Sequence, residues 1–121
     1  MAKILIIDDD IQIRTMLRKF LEPLGYDVHD APDGKEGLRI YREKKADLII
    51  TDIIMPEKEG IELISELKRE FRDAKIIAMS GGGRIGPDSY LKIAEKLGAL
   101  HTFSKPISKN ALLGVVRDIL R

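Results

Sequence analysis

The chain has 121 residues, enough for one domain of ordinary size and too few for a second. Hydrophobic residues make up 44% and charged residues 34%, which excludes a disordered chain, and 21 Lys+Arg against 20 Asp+Glu leave a net charge of +1 that argues against a nucleic-acid or membrane-surface role. There is no cysteine, so disulfides, thiolate chemistry and cysteine-ligated zinc are all excluded.

Short apolar runs alternate with stretches of helical period. Ile4-Leu5-Ile6-Ile7 reads as a first buried strand; it ends in three aspartates and is too short for the apolar core of a signal peptide. From Ile11 to Leu24, the residues Ile13, Met16, Leu17, Phe20, Leu21 and Leu24 recur at spacings of three and four, which predicts an amphipathic helix. Gly25 closes it, and Tyr26 to His29 reads as a second strand. Asp33 and Glu36 form an N-cap and N3 pair for a helix through Lys44. Leu48 to Thr51 is a third strand. A loop with Pro56 and Gly60 leads to a helix over Ile61–Phe71. Ile76 to Met79 is a fourth strand, followed by a glycine-rich loop and a helix from Asp88 to Leu97 that Gly98 stops. Leu100 to Phe103 is a fifth strand, and Ser108 caps a last helix carrying Leu112, Leu113, Val116, Ile119 and Leu120. Strand and helix thus alternate five times. Continuous apolar strands separated by helices mean a parallel sheet covered on both faces. With right-handed crossovers the expected fold is α/β, a flavodoxin-like (βα)5 doubly wound sheet in the order 2-1-3-4-5. No apolar run approaches the roughly 18 residues that span a bilayer, so the expectation is a cytoplasmic domain with no membrane contact.

In an open α/β sheet, ligands bind beyond the carboxyl ends of the strands. Asp8, Asp9 and Asp10 follow strand 1, Asp52 follows strand 3, Ser80 follows strand 4, and Lys105-Pro106 follows strand 5. Singly, each has an ordinary explanation: acidic runs cap helices, a lone Asp turns a strand, and Ser before Gly is loop chemistry. Together, four neighbouring strand ends bring acid, acid, hydroxyl and ammonium to one rim. Clustered carboxylates repel one another, and a hard divalent cation with oxygen ligands, Mg²⁺ before zinc or copper, would relieve that repulsion. The lysine and the hydroxyl would cradle a phosphoryl group, and one carboxylate could act as the nucleophile and form an aspartyl phosphate.

The motifs Ile4-Leu5-Ile6-Ile7-Asp8-Asp9-Asp10, Asp47-Leu48-Ile49-Ile50-Thr51-Asp52-Ile53-Ile54-Met55-Pro56 with Gly60, Ile76-Ile77-Ala78-Met79-Ser80-Gly81, Gly98-Ala99 and Lys105-Pro106 occur here in one order over nearly the whole chain. In this the chain resembles a response-regulator receiver domain of two-component signalling, with the chemotaxis-regulator fold, spanning residues 1–121. The resemblance implies that Asp52 is the phospho-acceptor. It implies that Asp8 and Asp9 bind Mg²⁺, Asp9 directly and Asp8 mostly through water, with the backbone carbonyl of Ile54 as a further ligand. Lys105 would pair with the Asp52 carboxylate or a phosphoryl oxygen, Ser80 would bond the phosphoryl group, and Pro106 would hold its turn, often through a cis bond. Asp10 would cap the first helix. The partners implied are a sensor histidine kinase or phosphotransfer protein and a downstream protein, with monomer and phosphorylation-dependent homodimer both open and no direct nucleic-acid binding. Such a domain is a signalling acceptor, not an enzyme beyond self-phosphorylation from small donors and autodephosphorylation. With nothing after helix 5, either a stand-alone regulator or a receiver cut from a longer protein fits.

Two positions depart from the family pattern. The family often carries an aromatic that turns inward three residues before the lysine; here that residue is Thr102. The loop Gly81–Pro87 looks extended. The switch is therefore expected in that loop and the helix near Asp88, not in a ring at position 102. The loop also satisfies G-x-G-x-x-G, but it follows strand 4 and lacks the downstream acid of a dinucleotide site. Two alternatives are a haloacid-dehalogenase-like phosphatase, which Asp8-x-Asp10 fits but Gln12 does not, and a degenerate pseudo-receiver scaffold, which should lack Asp52 or Lys105. His29 and His101 have no ligand spacing and read as structural or surface residues.

Overall fold

The computed structural model describes residues 1–53, 60–81 and 87–121 (for 87–91 the backbone only). Among these residues five strands alternate with five α-helices: β1 Lys3–Ile7, α1 Ile11–Leu21, β2 Asp27–Ala31, α2 Gly34–Lys44, β3 Leu48–Asp52, α3 Gly60–Glu70, β4 Ile76–Ser80, α4 Pro87–Leu97, β5 His101–Ser104 and α5 Lys109–Leu120. The strands are all parallel, in the order β2-β1-β3-β4-β5, which is the expected flavodoxin-like topology. β1, β3 and β4 are interior strands covered on both faces, and this is why their sequences are apolar without alternation.

The period of two along each strand divides the core. Leu5, Ile7, Ile49 and Ile76 point to one face, where Leu38, Leu63, Ile64, Leu67 and Ala94 of α2, α3 and α4 cover them. Ile4, Ile6, Ile50 and Ile77 point to the other, under Leu17 and Leu21 of α1 and Leu112 and Val116 of α5. The capping residues act as their positions predict. Asp10 accepts from the Gln12 N–H (2.8 Å), Asp33 from the Glu36 N–H (2.8 Å) and Ser108 from the Ala111 N–H (3.3 Å).

Several boundaries differ from expectation by a residue or more, and three of the differences have a visible physical reason. α1 ends at Leu21, and Glu22–Leu24 form a 3₁₀ turn. Pro23 cannot donate the bond that would continue an α-helix, so the turn tightens and Leu24 is left 57% exposed instead of joining the core. β2 runs two residues further than expected, to Ala31, because its whole length pairs with β1 and Ala31 is buried. α4 begins at Pro87, whose fixed φ suits a first helical position. Among the described residues no helix is long and apolar enough to cross a membrane.

Candidate functional site

The parallel register ends β1, β3 and β4 side by side, with Ile7 opposite Thr51 and Asp52 opposite Met79. The next residue along β1 is Asp8, and β3 and β4 end in Asp52 and Ser80; all three are buried. A carboxylate out of water needs partners. Asp8 has them at every polar atom. Its N–H donates to the Ala31 carbonyl (3.2 Å), its carbonyl accepts from Arg14 Nη1 (2.6 Å), Oδ1 accepts from the Asp10 N–H (2.9 Å), and Oδ2 accepts from Lys105 Nζ (2.8 Å). Asp9 is exposed, and carboxylate oxygens of Asp8, Asp9 and Asp52 lie within 4.8 Å of one another.

Lys105 lies between two of these acids, with Nζ 2.8 Å from Asp8 Oδ2 and 3.6 Å from Asp52 Oδ2. Burial acts to lower the ammonium pKa. The hydrogen bond from Lys105 to Asp8, with the charges of Asp52 and Asp8, outweighs it, so the pKa is raised and the group stays cationic. The resemblance pairs Lys105 with the Asp52 carboxylate or a phosphoryl oxygen; here the shorter contact is with the wholly buried Asp8. The Lys105–Pro106 bond is cis. The Lys105 N–H donates to the Ser80 carbonyl (2.8 Å), which joins the ends of β4 and β5. A side chain at Gly81 would stand 2.7 Å from Lys105 Cδ, so glycine there leaves room for the lysine stem.

Asp52 is held from behind. Thr51 Oγ1 donates to its carbonyl (2.9 Å), and the Ile53 N–H donates to the Met79 carbonyl (3.0 Å). α3 starts against this same backbone. A Cβ at Gly60 would fall 2.9 Å from the Asp52 carbonyl carbon and closer still to its oxygen. The sequence shows Gly60 as a loop residue and as part of the family motif; its close approach to the Asp52 backbone is what spacing alone does not show. Ser80 is the remaining element. Its Oγ is buried and, among the described residues, has no hydrogen-bond partner. A buried hydroxyl without a partner is disfavoured, and here it lies at the end of β4, beside Asp52 on β3.

The oxygen-only donor set, three carboxylates within one ligand sphere, fits a hard divalent cation such as Mg²⁺, and the partnerless Ser80 hydroxyl fits an anionic oxygen beside it. Asp10 does not join the cluster; its carboxylate caps α1, so the geometry lends no support to the D-x-D phosphatase alternative. Ile54 and residues 82–86 lie outside the described residues. Thr102 Oγ1 lies 3.4 Å from Glu95 Oε1, while His101 packs against Phe103 with ring centroids 4.7 Å apart. His29 lies beside Asp27, and among the described residues neither histidine belongs to a metal-binding cluster.

Comparison with known proteins agrees with this geometry. Residues 4–117 match the family described as the response regulator receiver domain. The chain belongs to that family. The chemotaxis protein CheY of Halobacterium salinarum is 36% identical over 121 residues, covering 99% of this chain and 98% of that protein. A receiver domain protein from Clostridium thermocellum superposes with a TM-score of 0.90 at 31% identity, covering 98% of this chain and 94% of that one. The response regulator TrrA from Thermotoga maritima, solved in complex with Mg²⁺ and BeF, superposes with a TM-score of 0.86 at 28% identity, covering 98% and 99% of the two chains. The chain spans only a quarter to a half of the length of the transcriptional regulators it also matches. It is thus a receiver of two-component signalling, a family whose members take a phosphoryl group from histidine kinases or phosphotransfer proteins, and the Asp8, Asp9 and Asp52 pocket fits a phospho-accepting site.

Proposed function

We propose that Asp52 is the phospho-acceptor, that Asp8, Asp9 and Asp52 hold Mg²⁺ with the carbonyl of Ile54, and that Lys105 and Ser80 bind the phosphoryl oxygens. The observation that carries this reading is the buried, partnerless Ser80 hydroxyl on the strand next to a buried carboxylate that faces a lysine. Asp52 is then the nucleophile: a carboxylate oxygen attacks phosphorus, the bond from phosphorus to the donor's imidazole nitrogen breaks, and the imidazole leaves with that electron pair and takes up a proton. Lys105 offsets charge on the phosphoryl oxygens and on the acids, Ser80 donates its hydroxyl proton to one of those oxygens, and Asp8 orients the lysine. When bound, Mg²⁺ supplies charge neutralisation between the carboxylates and the phosphoryl oxygens.

The receiver unit extends across residues 1–121. In this reading it works in the cytoplasm, takes its phosphoryl group from a sensor histidine kinase or a phosphotransfer protein, and also accepts one from small donors. It passes the signal to a downstream protein through its altered surface. The test is intact-mass measurement after incubation with acetyl phosphate or phosphoramidate. One phosphate should be added only with Mg²⁺ present and should be lost in Asp52→Asn; an undiminished shift in that variant overturns the assignment.

A further inference from the structure

We propose that Arg14 is a positioning residue for the metal-binding acids: it fixes the peptide between Asp8 and Asp9 and so aims the Asp9 carboxylate. This rests on the Mg²⁺ reading above. Arg14 is on the first turn of α1, and its side chain is only 12% exposed although it is fully charged. A guanidinium removed from water needs oxygen partners, and two are present. Nη1 donates to the Asp8 carbonyl (2.6 Å), and Nε donates to Asp30 Oδ2 on β2 (2.8 Å). The second oxygen of Asp30 accepts from Arg18 Nη2 (2.8 Å) and Nε (3.1 Å), one helical turn further on. Asp30 is therefore held at both oxygens and forms a fixed anchor for Arg14.

The consequence passes through the peptide plane. The Asp8 carbonyl and the Asp9 N–H share one rigid unit, so clamping the carbonyl sets the direction in which the chain enters Asp9. The Asp8 N–H is tied to the Ala31 carbonyl on the same strand, so the peptide planes on both sides of Asp8 are anchored to β2. The exposed Asp9 carboxylate has no hydrogen bond or ion pair among the described residues, so it is aimed at the cluster by its own torsions and by the backbone it leaves, and only the backbone is anchored. Among the described residues Arg14 has no hydrogen bond or ion pair to a carboxylate of the cluster; it acts through the main chain.

Arg18 provides the internal comparison, because it shares Asp30 with Arg14 but does not touch Asp8. Mg²⁺ titration by calorimetry should therefore separate the two, with urea unfolding in EDTA run in parallel. Arg14→Gln should weaken Mg²⁺ binding about tenfold, the lower end of what is lost when a group supporting a metal ligand is removed. Arg18→Gln should stay within about twofold of the parent although it also loses stability. Arg14→Lys keeps the charge on a single donor nitrogen, which cannot span both oxygens as the guanidinium fork does, and should fall between, about threefold weaker; it stands in for Arg14→Gln if that variant does not fold. Parent-like affinity in the Arg14 variant, or equal loss in the Arg14 and Arg18 variants, would overturn the positioning role. No Mg²⁺ binding by the parent chain would overturn the metal reading and this inference with it.

Discussion

Replacing Ser80 with alanine should have opposite effects on two states of the protein. The hydroxyl is fully buried and, among the described residues, without a partner, which disfavours the unphosphorylated fold by about 1–3 kcal/mol. Alanine removes that penalty and gives up only the packing of one oxygen atom. The expected net gain is about 1 kcal/mol, a rise of roughly 3–5 °C in Tm for a domain of this size. With a phosphoryl mimic in place the balance reverses. The hydroxyl then donates to a charged acceptor, a bond of about 1.5–3 kcal/mol, so beryllofluoride should bind Ser80→Ala roughly 10–100-fold more weakly. The assays are urea unfolding in EDTA and titration with beryllofluoride in Mg²⁺. If alanine destabilises the free protein by about 1 kcal/mol or more, the hydroxyl has a partner after all. If beryllofluoride affinity is unchanged, Ser80 does not bind the phosphoryl group.

Other perturbations test different links. Mg²⁺ at ten times its Kd should stabilise the fold by about 1.4 kcal/mol, and Asp9→Ala should weaken Mg²⁺ binding far more than Asp10→Ala, since Asp10 caps α1; equal losses in the titration would refute the ranking. Gly60→Ala should destabilise by about 1–3 kcal/mol through its clash with the Asp52 backbone, whereas Gly114→Ala, which meets nothing within 4 Å, should stabilise by about 0.5–1 kcal/mol; urea unfolding of both checks the contrast. Burial acts to raise the Asp30 pKa, but its bonds to Arg18 and Arg14 more than offset this and hold it below the ordinary 3.8. Its folded pKa is therefore depressed, so its contribution to stability is present above pH 3.8 and lost as pH falls through the folded value; Asp30→Asn should flatten the acid limb of the stability profile there.

The sheet order was legible because fully buried parallel strands such as Ile4–Ile7 and Leu48–Thr51 have no polar alternation, and the helices between them carry their own caps at Asp10, Asp33 and Ser108. The rim was legible for a related reason: once strands are in register, their next residues converge. What escaped depends on contacts between residues distant in sequence. Nothing local to Arg14 indicates that its guanidinium reaches the Asp8 carbonyl and a β2 carboxylate 16 residues away, although Arg14 and Arg18 at i and i+4 on a helix directly after an acid run were the available sign. That Lys105 Nζ lies nearer to Asp8 than to Asp52 is set by how the three strand ends are placed in space, which spacing does not encode. The end of α1 was misjudged because apolar period continued to Leu24 while the missing N–H of Pro23 had already tightened the turn.

Four strand ends are expected to assemble one site around a phosphorylated Asp52. A crystal structure of the full chain with Mg²⁺ and beryllofluoride tests it most directly. Beryllium should be bonded to a carboxylate oxygen of Asp52, fluorides should lie within hydrogen-bond reach of Ser80 Oγ and Lys105 Nζ, and the metal should sit on Asp9, Asp52 and the Ile54 carbonyl, with Asp8 reaching it through water. Beryllium on Asp8 or Asp9, or fluorides that leave the Ser80 hydroxyl without a partner, would contradict it.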